Sequence, residues 1–281
     1  MKKLNLTEWI INRFFKNSFS FFSGILAIIM LIEILSFYLD KNLFFSENSI
    51  IPWQLGLIKS EYYWIIYKFY TYLDGIGISI YLFYNTIIFL YVILVVISLV
   101  YIRKIWTYIL LLLFNFIIFR SIPYFNYGYD HFVLMSIFYC LVILLFSYKY
   151  KDDKYSISTI LKYHLMIIYF TSGMSKVFDL NWWNGNAIWR AIATPTFDIF
   201  IPPIIFLILS AGTVIIELLY PLLIHTRFKK ITIIHIILLH IGIGIFLGLS
   251  SFAAIMILWN LTAFYKDFNL DKTFKSNEVL V

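Results

Sequence analysis

Apolar runs about twenty residues long recur from Phe19 to Tyr265, and short turns holding most of the basic residues separate them. At 1.5 Å per residue, a helix of that length matches the hydrocarbon thickness of a bilayer. A membrane strand needs only about ten residues, so runs this long predict helices and not a barrel. The rest of the composition agrees: 62% of the chain is hydrophobic, 13% is charged and the mean hydropathy is +0.87. A soluble domain carries about a quarter charged residues, so water offers this chain no place for its apolar surface. The fold class is all-α integral membrane, a polytopic bundle of about eight transmembrane helices with the N-terminus cytoplasmic.

Residues 1–18 read as a basic amphipathic cytoplasmic segment, with Leu4, Trp9, Ile10, Phe14 and Phe15 on its apolar side. The first apolar run follows Arg13 and Lys16 and has no small-residue cleavage site, so it is read as a span and not as a signal peptide. Residues 19–265 form one transmembrane domain, and 266–281 a short cytoplasmic tail. The expected spans are Phe19–Leu39, Gly75–Tyr101, Ile105–Phe119, His131–Tyr148, Ile157–Phe178 and Ile201–Ile224. The stretch Ile231–Tyr265 is too long for one upright helix, and Gly242, Gly244, Gly248 and Ser250-Ser251 offer a turn, so a hairpin of two spans is predicted. Between the first two spans, SEYYWIIYKFYTYLDG is too short and polar to cross; it reads as an interfacial helix with a snorkelling Lys68. An inside N-terminus places most of the 22 Lys and Arg residues on the cytoplasmic side, as the positive-inside bias requires. Spreading the net charge of +7 over short loops leaves no basic stripe, which argues against a nucleic-acid partner. The bilayer is the expected partner, and a multi-pass protein of the cell membrane the expected setting. The single cysteine, Cys140, lies inside a run and reads as a packing residue.

Few ionisable residues fall at membrane depth, where each needs a reason. Glu33 is one, in the first span. Lys176 ends the fifth span after Ser172, Gly173 and Ser175, and the Trp-, Asn- and Gly-rich segment DLNWWNGN follows it. It can be a base, an anion-binding cation or an anchor snorkelling to the interface that Trp182 and Trp183 mark. Glu217 lies deeper, in GTVIIELLYP, as a functional carboxyl or a hydrogen-bonded structural one. His240 sits in mid-run, either a core histidine or a proton carrier. His131 follows Asp130 at the outer mouth of the fourth span; His164 lies at the inner end of the fifth. His235 and His240 are five residues apart, off the i, i+4 face of a helical metal pair. The chain also has no HExxH or Cys/His cluster, so no metal site is expected. Walker A, GxSxG and dinucleotide fingerprints are absent.

The pattern Tyr169-Phe170-x-x-Gly173-x-x-Lys176, followed by Trp182 and Gly185, resembles the signature of the horizontally transferred transmembrane (HTTM) domain, which vitamin K-dependent gamma-carboxylase shares. The loop Asn126–His131, Glu217 with Pro221, and His240 extend the resemblance over most of the chain. It implies Lys176 as the base on reduced vitamin K or another quinone, assisted by His131, with Glu217 and His240 handling protons. Gly173, Trp182 and Gly185 are the implied cofactor contacts. The chain carries no counterpart of the long lumenal region that binds the propeptide and glutamate substrate. The resemblance therefore points to the compact bacterial sporulation-delaying-protein B family, which matures an exported antimicrobial peptide. Three readings stand: a protein for maturation or export of a secreted peptide, with a small peptide and a soluble protein as partners; a quinone-dependent carboxylase-like enzyme; and a non-catalytic membrane chaperone, immunity or transport component. Fold follows from such a resemblance more directly than activity does.

Overall fold

The computed structural model describes residues 10–44, 63–101, 104–120, 128–150, 156–193 and 201–268. Among these residues the secondary structure is helical, with no strand. Leu4 and Trp9, most of the 40–62 connection, the 121–127 loop, the turn at 151–155, Pro195 and the tail beyond 268 lie outside the described residues. Five helices are long and apolar enough to cross a membrane: Ser18–Asp40, Ile80–Val100, Gly128–Ser147, Pro203–Leu223 and Lys229–Phe246. Ile105–Phe119 and Ser250–Ala263 are apolar but shorter. The chain divides into two compact units, Met1–Tyr155 and Ser156–Val281, at the charged turn that precedes the fifth expected span.

The first unit contains α1 (Ser18–Phe44), α2 (Tyr63–Gly75), α3 (Ile80–Val100), α4 (Ile105–Asn115) and α5 (Gly128–Tyr150). A π-helical turn, Phe116–Arg120, prolongs α4, and another, Ile11–Phe15, precedes α1. α3 packs between α1 and α4, and α4 against α5. Lipid tails are as apolar as leucine, so burying leucine drives helices together only weakly in a bilayer; close packing and internal hydrogen bonds must do it. Phe22, Ile34, Ile88, Val95, Ile137 and Cys140 supply that packing. Asn115 donates to the Tyr91 hydroxyl at 3.1 Å, joining α4 to α3. At 13 residues α2 is about 20 Å long, too short to cross. It buries Tyr70 and Leu73, exposes Trp64, Tyr67 and Tyr72, and holds the Lys68 ammonium 4.9 Å from the Trp64 ring. In the basic N-terminal segment Arg13 is buried, 3% exposed. Its guanidinium donates to the carbonyls of Ser98 (2.9 Å), Leu99 and Ser20 (3.3 Å), so it caps the C-terminal end of α3.

The second unit contains α6 (Ile157–Val177), two short helices α7 (Leu180–Trp183) and α8 (Asn186–Ile192), then α9 (Pro203–Leu223), α10 (Lys229–Phe246) and α11 (Ser250–Ala263). Ser156 caps α6 by accepting from Ser158 N at 3.2 Å, and Pro203 starts α9 at a position where no amide donor is needed. α6 packs against α9 and α11; α7 and α8 lie on α9. The long last apolar stretch is a helical hairpin: α10 ends at Phe246 and α11 begins at Ser250, with Gly248 at φ +67°. Only glycine adopts that backbone readily. Lys229 on α10 pairs with Asp267 beyond α11 at 2.6 Å and closes the hairpin's open end.

Candidate functional site

Three of the four candidate catalytic residues, Lys176, Glu217 and His240, lie in the second unit, and two of them touch. Lys176 is in the last turn of α6 and Glu217 two-thirds of the way along α9. Their Nζ and Oε2 atoms are 2.5 Å apart, with side-chain exposures of 16% and 8%. Lys176 also donates to Ser172 Oγ one turn earlier, and its ammonium lies 5.0 Å from the Trp182 ring. A carboxylate, a hydroxyl and an aromatic face thus surround the ammonium, which satisfies its three donors and its charge. A snorkelling anchor would send that charge out to water.

Sequence explains the approach of the two helices. Gly173 sits one turn before Lys176, and a Cβ built there would come within 2.5 Å of Leu218 N and 3.0 Å of the Glu217 carbonyl carbon. Only glycine leaves room for that backbone contact. Pro221, inside α9, lacks the N–H that would bond the Glu217 carbonyl, so the ladder of α9 is interrupted where α6 meets it. Gly185, at φ +83°, brings the α7–α8 corner to α9 in the same way: a Cβ there would meet Leu207 N at 2.8 Å.

His240 belongs to a second, fully buried cluster. The Tyr220 hydroxyl donates to Asn260 Oδ1 at 3.2 Å, and Asn260 Nδ2 donates to the Tyr169 hydroxyl at 2.7 Å and to Met256 O at 2.9 Å. Tyr169 lies 2.9 Å from His240 Nε2. The Tyr169 oxygen thus joins Asn260 to His240, and the tautomer of the imidazole sets which of the two donates across the Tyr169–His240 contact. Nδ1 is buried and has no hydrogen-bond partner among the described residues. The cluster ties α6, α9, α10 and α11 together through one residue each. No sequence pattern groups Tyr169, Tyr220 and Asn260; the i, i+7 spacing of Tyr169 and Lys176 on one helix is the only hint in the sequence.

His131 lies in the first unit, exposed on the first turn of α5, three residues inside a helix that starts at Gly128 rather than at His131 itself. Its neighbour Asp130 is buried. Among the described residues, His, Cys, Asp and Glu do not gather in threes as metal ligands do. Reduced vitamin K or another quinone is the cofactor that the HTTM resemblance implies. At Gly173 and Gly185 the space above the α-carbon is filled by α9 backbone, and the Trp182 ring faces the Lys176 ammonium. Gly173 and Gly185 therefore offer a quinone no seat. No family model, curated protein or solved structure matches the chain.

Proposed function

We propose that the chain is a multi-pass protein of the HTTM type in the cell membrane, with eight spans and a cytoplasmic N-terminus. Its task on this reading is maturation or export of a secreted antimicrobial peptide at a site centred on Lys176. The observation that carries it is the Lys176–Glu217 pair. Two ionisable groups sharing one short contact, largely screened from water, can exchange a proton and present a donor and an acceptor to a polar group of a substrate. The distribution of Lys and Arg supports the orientation, which puts the α6–α7 junction toward the outer side.

The test is made in the organism that encodes the chain. Peptides released by a deletion strain are compared, by mass spectrometry, with those of strains complemented by wild type, Lys176→Met and Lys176→Arg. The expected result is a secreted peptide that only wild type restores, because arginine keeps the charge but does not readily release its proton. Identical secreted peptides in all strains would overturn the proposal.

One observation favours a second reading, a non-catalytic chaperone, immunity or transport component. The Tyr169–His240–Asn260–Tyr220 cluster joins four helices by hydrogen bonds, as a purely structural network does. On that reading Lys176→Arg retains function and only loss of the charge abolishes it.

A further inference from the structure

The depth of Lys176 can be read from α9. The exposed residues of this helix are apolar from end to end: Ile204, Ile205, Ile208, Leu209, Ile215, Leu219 and Leu222. From Ile204 to Leu222 this face is about 27 Å long, close to the full hydrocarbon thickness. Glu217 lies 13 residues from Ile204, about 20 Å along the helix. The partner of Lys176 is therefore far below the outer edge of the face that lipid must cover.

The chain then climbs back beside α9. Gly173 meets the Glu217–Leu218 backbone and Gly185 that of Leu207, so the chain between them rises about 17 Å along α9, close to the advance of twelve residues of continuing helix, about 18 Å. It is a broken helix, and its freed polar groups are closed locally. Trp183 Nε1 donates to Val177 O at 2.8 Å, Asp179 Oδ1 accepts from Asn181 N at 3.0 Å, and Asn184 Oδ1 accepts from Asn186 N at 3.0 Å. Broken backbone is tolerated at membrane depth where its groups are satisfied or face a watery cavity. The stretch exposes two kinds of residue. Phe178 is 80% and Leu180 77% exposed, and Trp189 is exposed too. Asp179 and Asn184 are also exposed and polar, as are Thr171 and Ser175 on the last turns of α6.

We infer that Phe178–Ile192 is the outer half of a broken span within the bilayer, and that water-borne solutes from the outer side reach the Lys176–Glu217 pair along its exposed polar residues Asp179 and Asn184. The ligand of the pair is then a polar or charged group arriving through water, such as a peptide carboxylate or amide. Trp182 and Trp183 lie below the interface that the sequence assigned to them. The inference rests on α9 crossing the bilayer in the proposed orientation. It does not rest on the peptide assignment, so the two tests fail independently.

Single cysteines test it in the full chain, since Cys140 is buried and serves as the silent background. Ser175→Cys is nearly isosteric and adjoins Lys176; Leu180→Cys replaces a side chain that makes few contacts; Ser79→Cys, at the exposed cap of α3, is the outer aqueous control. Intact cells are treated with a small cationic methanethiosulfonate, and a spin label at 180 reports depth by collision with oxygen and a nickel chelate. The expected pattern is Ser175→Cys modified from outside at a rate approaching the control, with Leu180→Cys at least about tenfold slower and its label in hydrocarbon. If Leu180→Cys reacts like the control, the segment is an ordinary outer loop; if Ser175→Cys is inert, the water path does not exist. Either result overturns the inference.

Discussion

Lys176 Nζ and Glu217 Oε2 stand 2.5 Å apart across two helices whose backbones meet at Gly173. Each side chain makes the burial of the other tolerable, so removing one partner leaves a buried charge without its counterpart. Lys176→Met is expected to destabilise the protein by about 3 to 5 kcal/mol, as broken buried pairs do. Lys176→Met with Glu217→Leu should recover most of that, because no lone charge remains. Thermal unfolding in lipid nanodiscs measures both. A double variant no more stable than the single one contradicts the coupling.

Gly173 gives a steric prediction. Alanine there places a Cβ 2.5 Å from Leu218 N, a backbone atom that cannot rotate away. Gly173→Ala should lower stability by about 1 to 3 kcal/mol, the usual range for overpacking, by forcing α6 and α9 apart. Gly212, on α9 with open space around its α-carbon, is the control, and Gly212→Ala should be neutral or slightly stabilising. Equal melting shifts for the two variants would show that the close approach is not needed.

Much of this fold was legible because the bilayer allows so few alternatives. Runs near twenty residues gave helices, and Gly248 with Ser250 marked the corner that splits the last stretch into α10 and α11. The pairing of Lys176 with Glu217 was not legible, since helix register across 41 residues of chain depends on a glycine contact and a proline that no periodicity encodes. Arg13 reads as one more interfacial cation; its burial goes with Gly24, whose bare α-carbon leaves room for both the Phe14 ring and the Arg13 guanidinium. His131 could be named from the resemblance, but its place on α5 is set by a helix that begins three residues early, and sequence boundaries do not reach that precision.

Tyr169 is the residue through which Asn260 and His240 communicate. Tyr169→Phe deletes one oxygen and leaves His240 Nε2 without its partner, while Asn260 Nδ2 keeps only the bond to Met256 O. The expected cost is about 1 to 3 kcal/mol for stranding a buried polar group. Tyr220→Phe removes a single longer bond at 3.2 Å and should cost less. Nuclear magnetic resonance of labelled histidine can follow the imidazole directly: Tyr169→Phe should shift the His240 ring nitrogens, and Tyr220→Phe should barely move them. Equal shifts in the two variants would mean that the hydrogen bonds do not run in this order.

Arg13 offers a prediction in the first unit. The last carbonyls of α3 have no intrahelical partners, and the guanidinium fills those of Ser98 and Leu99 while reaching Ser20 O on α1. A lysine carries the same charge but cannot spread rigid donors over three separate carbonyls. Arg13→Lys should therefore fail to restore what Arg13→Ala removes, with both variants losing about 1 to 3 kcal/mol for buried acceptors left unfilled. Loss of this cap frays the final turn, where Tyr101 N bonds Ile97 O at 2.8 Å. Hydrogen exchange should accelerate there in both variants while the middle of α3, near Ile88, stays protected. If lysine restores wild-type protection at Tyr101, charge alone holds the helix end and the geometry of the guanidinium is incidental.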